Sequence, residues 1–264
     1  MIEVRPPAVA GRFYPGDETK LSEAVRGYLE ASDLAPAVDR SPKAVIVPHA
    51  GYVYSGAVAA TAYVRLAALR DIVRRVVLIG PAHYVPMRGL AACAARAFAT
   101  PLGEVPVDRA AIEGLRELRL VALRGDAHEP EHSLEVQLPF LQVTLNDFAI
   151  VPLLVGDATY DDVRAVIDRL WGGPETLIAI SSDLSHYHPY DTARRLDAET
   201  AAAIVALDAA AIGEERACGR VPIGGLLLAA RARGLHAVAA DLRNSGDTAG
   251  PRSEVVGYGS FLFT

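Results

Sequence analysis

Short apolar runs that stop at a proline or a polar residue, with a histidine just beyond, recur along the chain. Ala44–Val47 is apolar and rich in β-branched residues, which predicts a buried strand; Pro48 has no N–H to give a ladder, and His49 follows before a Gly51 turn. Val76–Gly80, Pro81 and His83 repeat this plan, and Leu177–Ser182 leads to Asp183 and His186. Between such runs, apolar residues recur three and four apart. This spacing predicts helices over Asp17–Ala31 (capped by Asp17 or Thr19), Ala57–Leu69, Asp108–Leu118 (capped by Asp108) and His132–Leu145, with a kink at Pro139. It predicts others over Asp161–Trp171, Ala193–Leu207 and Pro222–Arg233, the last ended by Gly234.

Further strands are expected over Leu90–Phe98, Ala149–Val155, His236–Leu242 and Val255–Phe263. Ala8–Gly16 reads as an extended entry loop, Asp33–Pro42 as a Pro-rich connection, TPLGEVPVD as turn-like and Gly125–Glu131 as a polar loop carrying His128. Strands alternating with helices of about a dozen residues are the pattern of parallel crossovers. The expectation is therefore an α/β fold, one domain over residues 1–264, with a central, mostly parallel sheet flanked by helices. In such a sheet the carboxyl ends of parallel strands share one edge, where ligands usually bind.

The chain has 264 residues, 51% hydrophobic and 22% charged, which is ample for a large core. A formal charge of -6 removes any electrostatic case for nucleic acid. Only two cysteines occur, Cys93 and Cys218, far apart, so free thiols in a reducing cytoplasm are expected. The first residues have no apolar leader-like stretch, and the longest apolar runs fall far short of the ~20 residues that cross a bilayer. No membrane association is expected.

Of seven histidines, His49, His83, His128, His132 and His186 fall in or beside expected turns. One histidine alone is more often structural than a ligand. Strand-end placement brings His49 and His83 toward one edge, and two imidazoles with one anionic ligand make a metal site with open positions. Asp183, Glu135 and the Cys218 thiolate are the candidate anions. In SSDLSH, Asp183 and His186 stand three apart, which suits either a carboxylate orienting an imidazole across a turn or a helix N-cap. His132 and Glu135 share that spacing. Gly224-Gly225 reads as close helix packing rather than an anion site, and Cys93 as a small buried hydrophobe.

Taken together, AGRFYPGD, VPHAGYVYSG, IGPAHYVP, EHSLEVQLPF, PLLVG, SSDLSHY, CGRVPIGG and the closing GYGSF resemble the Memo family, in the family's order and over nearly the whole chain. The resemblance implies a fold similar to LigB-type class III extradiol dioxygenases. It implies metal ligands at His49, His83 and Cys218, with Asp183, His186 and His132 as further, catalytic residues of the same pocket. The implied cofactor is iron(II) or copper and the implied role oxidative, on a small-molecule or peptide substrate. Binding of a peptide without turnover is the alternative, with Arg220, Tyr52, Tyr54, Tyr84 and Tyr187 lining the pocket. In microbes the family is similar to one part of a set with AMMECR-type and radical-SAM proteins. Tyr84 departs from members that carry a second histidine there.

Overall fold

The computed structural model describes residues 3–32 and 41–264, so most of the Pro-rich connection expected before the first long strand lies outside the described residues. The strands in chain order are β1 (Val4–Arg5), β2 (Ala44–Val47), β3 (Arg75–Pro81), β4 (Leu90–Ala92), β5 (Ala97–Thr100), β6 (Gly103–Pro106), β7 (Val121–Leu123), β8 (Ala149–Val155), β9 (Thr176–Ser181), β10 (His186–His188), β11 (Ala237–Asn244) and β12 (Val255–Phe263). The main sheet runs β10-β12-β2-β9-β3-β8-β4-β7, with β11 also paired to β12. Its centre, β2-β9-β3-β8, is parallel. Its flanks are antiparallel where β12 meets β2 and where β4 meets β8. The α/β architecture expected from the pattern is the one observed, as a mixed sheet with a parallel heart.

Every residue of β2 and β9 is buried. That explains why both read as unbroken apolar runs rather than alternating ones. Because β9 inserts between β2 and β3, the segments after these three strands lie side by side at one edge. Helices Tyr52–Tyr63 and Arg220–Ala232 pack on the sheet, the first against β2 and β12, the second against β3 and β9. Gly224 and Gly225 serve close packing, as expected: a Cβ at Gly224 would stand 2.5 Å from the Tyr160 ring, and one at Gly225 2.5 Å from Val163. Helix Tyr160–Leu170 begins with a Thr159–Asp162 capping box, and Asp108 caps the helix Arg109–Glu113. Among the described residues no helix is long and apolar enough to cross a membrane.

Several local readings are corrected. Leu90–Phe98 is not one strand: β4 joins the main sheet and β5 a second, three-stranded sheet, β1-β5-β6. The turn-like TPLGEVPVD is a hairpin, with Gly103 at φ +116° and β6 folded back on β5. The helix expected from Ala57 starts five residues earlier at Tyr52, with Gly51 as its cap, and tightens into 3₁₀ turns over Val64–Leu69. Pro139 starts a helix rather than kinking one: a 3₁₀ turn at Glu135–Gln137 precedes helix Leu138–Thr144, and a first-turn proline lacks only an N–H that would be unpaired there anyway. The loop expected around His128 is a short helix, Gly125–His128. Ala8–Gly16 is not extended but folds on itself, with Gly11 N donating to Tyr14 O at 2.8 Å.

A buried ion pair ties that N-terminal turn to the segment after β7. Glu135 pairs with Arg5 and also accepts from the Ala8 and Val9 amides and the Tyr14 hydroxyl. Arg5 in turn donates to the carbonyls of His128 and Glu131. Glu135 is thus fully engaged in structure and is no candidate metal anion. His128 is buried under β4, its Nε2 3.0 Å from Ala91 O and its ring edge-on to Phe98.

Burial holds the His128 imidazole down at about 4, from an ordinary 6.5. The unfolded chain therefore binds a proton below pH 6.5 that the folded chain refuses until about pH 4, so stability falls as pH drops through that window. This one group accounts for about 3 kcal/mol. Urea melts at a series of pH values should show a shallower decline in His128→Gln than in the parent. Parallel pH profiles would refute the assignment.

Candidate metal centre

Three imidazoles meet at the carboxyl edge of the parallel strands. His49 follows β2, His83 follows β3, and His132 comes from the loop ahead of the Glu135–Gln137 turn. One ring nitrogen of each lies within 4.8 Å of the others. The His83 and His132 rings stack with centroids 4.9 Å apart, and His49 stands edge-on to both, at 5.2 and 5.5 Å.

The backs of two rings are fixed so that their lone pairs face the cluster. Behind His49, Ser181 Oγ donates to Ser133 O at 2.6 Å and accepts from the Gln137 amide at 2.8 Å. Gln137 is itself oriented, because its Oε1 accepts from the Tyr63 hydroxyl and its amide nitrogen also donates to Pro48 O. With the serine proton committed, the 2.9 Å contact from His49 Nδ1 to Ser181 Oγ requires Nδ1–H to donate. That leaves Nε2 unprotonated. Behind His83, Glu131 Oε1 accepts from Nδ1 at 2.9 Å and Oε2 from the His83 amide at 2.6 Å. Glu131 also accepts from the His132 and Ser133 amides. Histidines that ligate metals have their second nitrogen held in this way, often by a carboxylate.

Burial governs the charges here. Burial, then the neighbouring His83, holds the His49 imidazole down at about 3; burial, then His49, holds His132 down at about 4. Both are uncharged at neutral pH. Burial pushes the Glu131 carboxyl up, but the ring and amide hydrogen bonds of His83 and the Ser133 amide outweigh it, and the group settles at about 2. An anion behind one imidazole, beside two others held neutral by burial, is the electrostatic arrangement of a cation site.

Cys218 lies ahead of helix Arg220–Ala232, its Sγ 3.3 Å from His49 Nε2. Burial, then Asp183, raises its thiol to about 12, so without a cation it is protonated. A metal would ionise it outright. Asp183 is buried and its Oδ1 accepts from the His49 amide at 2.7 Å; burial pushes its carboxyl up. His186 lies on the wall of the same cavity, in β10.

The helical turn considered for Asp183–His186 does not form. The chain runs irregularly from β9 into β10, and Ser182 accepts from the Gly219 amide instead of capping a helix. The cavity, about 770 Å³, is lined by His49, His83, His132, Asp183, His186 and Cys218 together with aromatic side chains. Tyr54, Tyr84 and Tyr187 stand at its rim as expected. Tyr52 does not: it is buried and donates to Val136 O. Arg220 pairs with the Tyr160 hydroxyl away from the cavity.

Sequence reasoning passed over Glu131, Ser181 and Gln137. Spacing drew attention to Glu135, three residues from His132, while the carboxylate that serves the site is the one adjacent to His132. A Glu-His pair in a polar loop was the available signal. Tyr84, whose hydroxyl is 3.2 Å from His132 Nδ1, occupies the position of the second histidine noted above.

The family model described as Memo-like protein matches residues 5–262. A MEMO1 family protein of Aquifex aeolicus is 35% identical over 276 aligned residues, covering 99% of this chain and 100% of that protein. One of Archaeoglobus fulgidus is 36% identical, covering 98% and 99%. One of Methanothermobacter thermautotrophicus is 38% identical, covering 97% and 98%. Among solved structures, an uncharacterised protein from Escherichia coli K12 shares the fold at a TM-score of 0.56 and 14% identity, over 84% of this chain and 100% of that one.

Glu131→Gln keeps the shape but gives up the anion behind His83. Cobalt(II) titrated into this variant and followed by visible absorption should bind about 10- to 100-fold more weakly than to the parent. Equal affinities would remove Glu131 from the site.

Proposed function

The chain belongs to the Memo-like protein family, and on that premise we propose that it binds one redox-active transition-metal ion, iron or copper, and serves an oxidative reaction. The observation that carries this reading is the set of three imidazole nitrogens within 4.8 Å of one another, with the backs of two rings held by Ser181 and Glu131. His49 and His83 anchor the ion. His132 and the Cys218 thiolate, whose Sγ lies 3.3 Å from His49 Nε2, would complete the donor set. Imidazole with thiolate suits iron, copper or zinc, and calcium and magnesium prefer all-oxygen ligands. When bound, iron or copper would supply a one-electron centre with open coordination positions.

The chain's own residues do the rest. His186, on the cavity wall, exchanges a proton with the bound substrate. Asp183 holds the His49 backbone in place and so sets where that ring points. The aromatic rim excludes water from the ligand's faces. The substrate is a small molecule or a peptide side chain that fits about 770 Å³.

Protein purified without air and reconstituted with iron(II) or copper(I) should retain about one ion per chain. A His49→Ala, His83→Ala double variant should retain none. Oxidised wild-type protein should show a sulfur-to-metal charge-transfer band that Cys218→Ser lacks. Full retention of metal by the double variant would sink this reading.

A second reading is favoured by the rim: Tyr54, Tyr84 and Tyr187 are exposed by 40%, 51% and 72%. Aromatic side chains in such positions are typical of protein or peptide contacts. On this reading the pocket holds a peptide without turnover. Calorimetry would then find peptide binding unchanged after complete removal of metal, whereas a metal requirement argues for the first reading.

A further inference from the structure

Apart from the imidazoles, one basic side chain among the described residues lines the cavity, Arg12. Among the described residues its guanidinium has no hydrogen-bond or ion-pair partner. The turn that presents it is nevertheless rigidly held. Arg12 N and Phe13 N both donate to Val9 O, Phe13 O accepts from Tyr52 N at 2.7 Å, and the buried Glu135 carboxylate grips Ala8, Val9 and Tyr14. The next residue, Phe13, packs its ring 4.9 Å from that of His132. Arg12 is therefore next in the chain to the residue that packs on the histidine cluster, on a preorganised loop, with its guanidinium open to solvent and to a ligand in the cavity. The acidic side chain of the cavity wall, Asp183, is already bonded to the His49 amide.

We propose that Arg12 selects the cavity's ligand, a small carboxylic acid with a flat aromatic body. The carboxylate pairs with the Arg12 guanidinium, and the ring lies against Phe13, Tyr84 and Tyr187. This rests on the reading of the cavity as the ligand site, and not on any metal in it. One guanidinium offers one bidentate fork, which a carboxylate fills. A phosphate dianion calls for further donors, and among the described residues no lysine or second arginine lines the cavity. The aromatic walls suit a flat apolar body better than a sugar or a polyamine.

The test uses the full chain stripped of metal, with the chelator dialysed away, and three probes of similar shape: benzoate, benzamide and phenyl phosphate. Binding is followed by amide shifts in proton–nitrogen NMR spectra. Benzoate should bind about tenfold more tightly than benzamide, the low end for one charge-assisted hydrogen bond. Arg12→Gln should bring the two within about twofold of each other, and Arg12→Lys should keep part of the preference. Equal binding of benzoate and benzamide, or a preference that survives Arg12→Gln, would overturn the proposal. Phenyl phosphate binding about tenfold more tightly than benzoate would also overturn it, replacing the carboxylate by a phosphate. Metal uptake is read separately, on the same chain reconstituted with iron(II) or copper(I) without air. A chain that holds no metal but keeps the Arg12-dependent preference sinks the metal reading and leaves this one standing; the reverse result sinks this one alone.

Discussion

Four N–H groups converge on the buried Glu131 carboxylate: the His83 amide and ring, and the amides of His132 and Ser133. A carboxylate taken out of water costs several kcal/mol unless its oxygens are satisfied. Here they are, and the charge persists. In return it fixes one ring from β3 and the backbone of the loop carrying another, so two distant segments are held at one distance. Four residues on, Glu135 does the same for the N-terminal turn through Arg5, Ala8, Val9 and Tyr14. One short polar segment thus ties the strand edge to both walls of the cavity.

This arrangement carries an electrostatic consequence. Fixed anionic charge sits behind the His83 ring, while His49 and His132 are held low by burial and the Cys218 thiol is held high by it. Burial penalises the charged forms of His49, His132 and Cys218. Ser181 reaches the same end for His49 without charge, by committing its own proton elsewhere. Two rings are oriented by different chemistry toward one point.

Much of the frame was legible along the chain. Ala44–Val47, Ala149–Val155 and Val255–Phe263 are strands with the bounds the pattern predicts, and the histidines after two parallel strands do reach one edge. Pro48 marked the end of β2, because a missing N–H is a local property, and Pro81 is the last residue of β3. The failures were of another kind. Leu90–Phe98 reads as one apolar run, yet Ala92 and Ala97 belong to different sheets. Asp183 and His186 have helical spacing, yet the segment continues into β10, because pairing with β12 outweighs the local preference. Glu131 and Glu135 both precede or follow His132 closely, and nothing local says which one faces the rings.

By itself the sequence determined what each residue's own chemistry and periodicity decide: an α/β chain, buried parallel strands, histidines placed just past strand ends, and the order of motifs that marks the family. Which of those histidines meet, that Glu131 rather than Glu135 serves them, that Tyr52 and Arg220 turn away while Arg12 turns in, was decided only by tertiary structure. The reason is physical. A side chain's partner is set by the packing of segments some 50 to 170 residues apart, such as His83 with Glu131 or His49 with Cys218, and no pattern of neighbours along the chain encodes the distance between them.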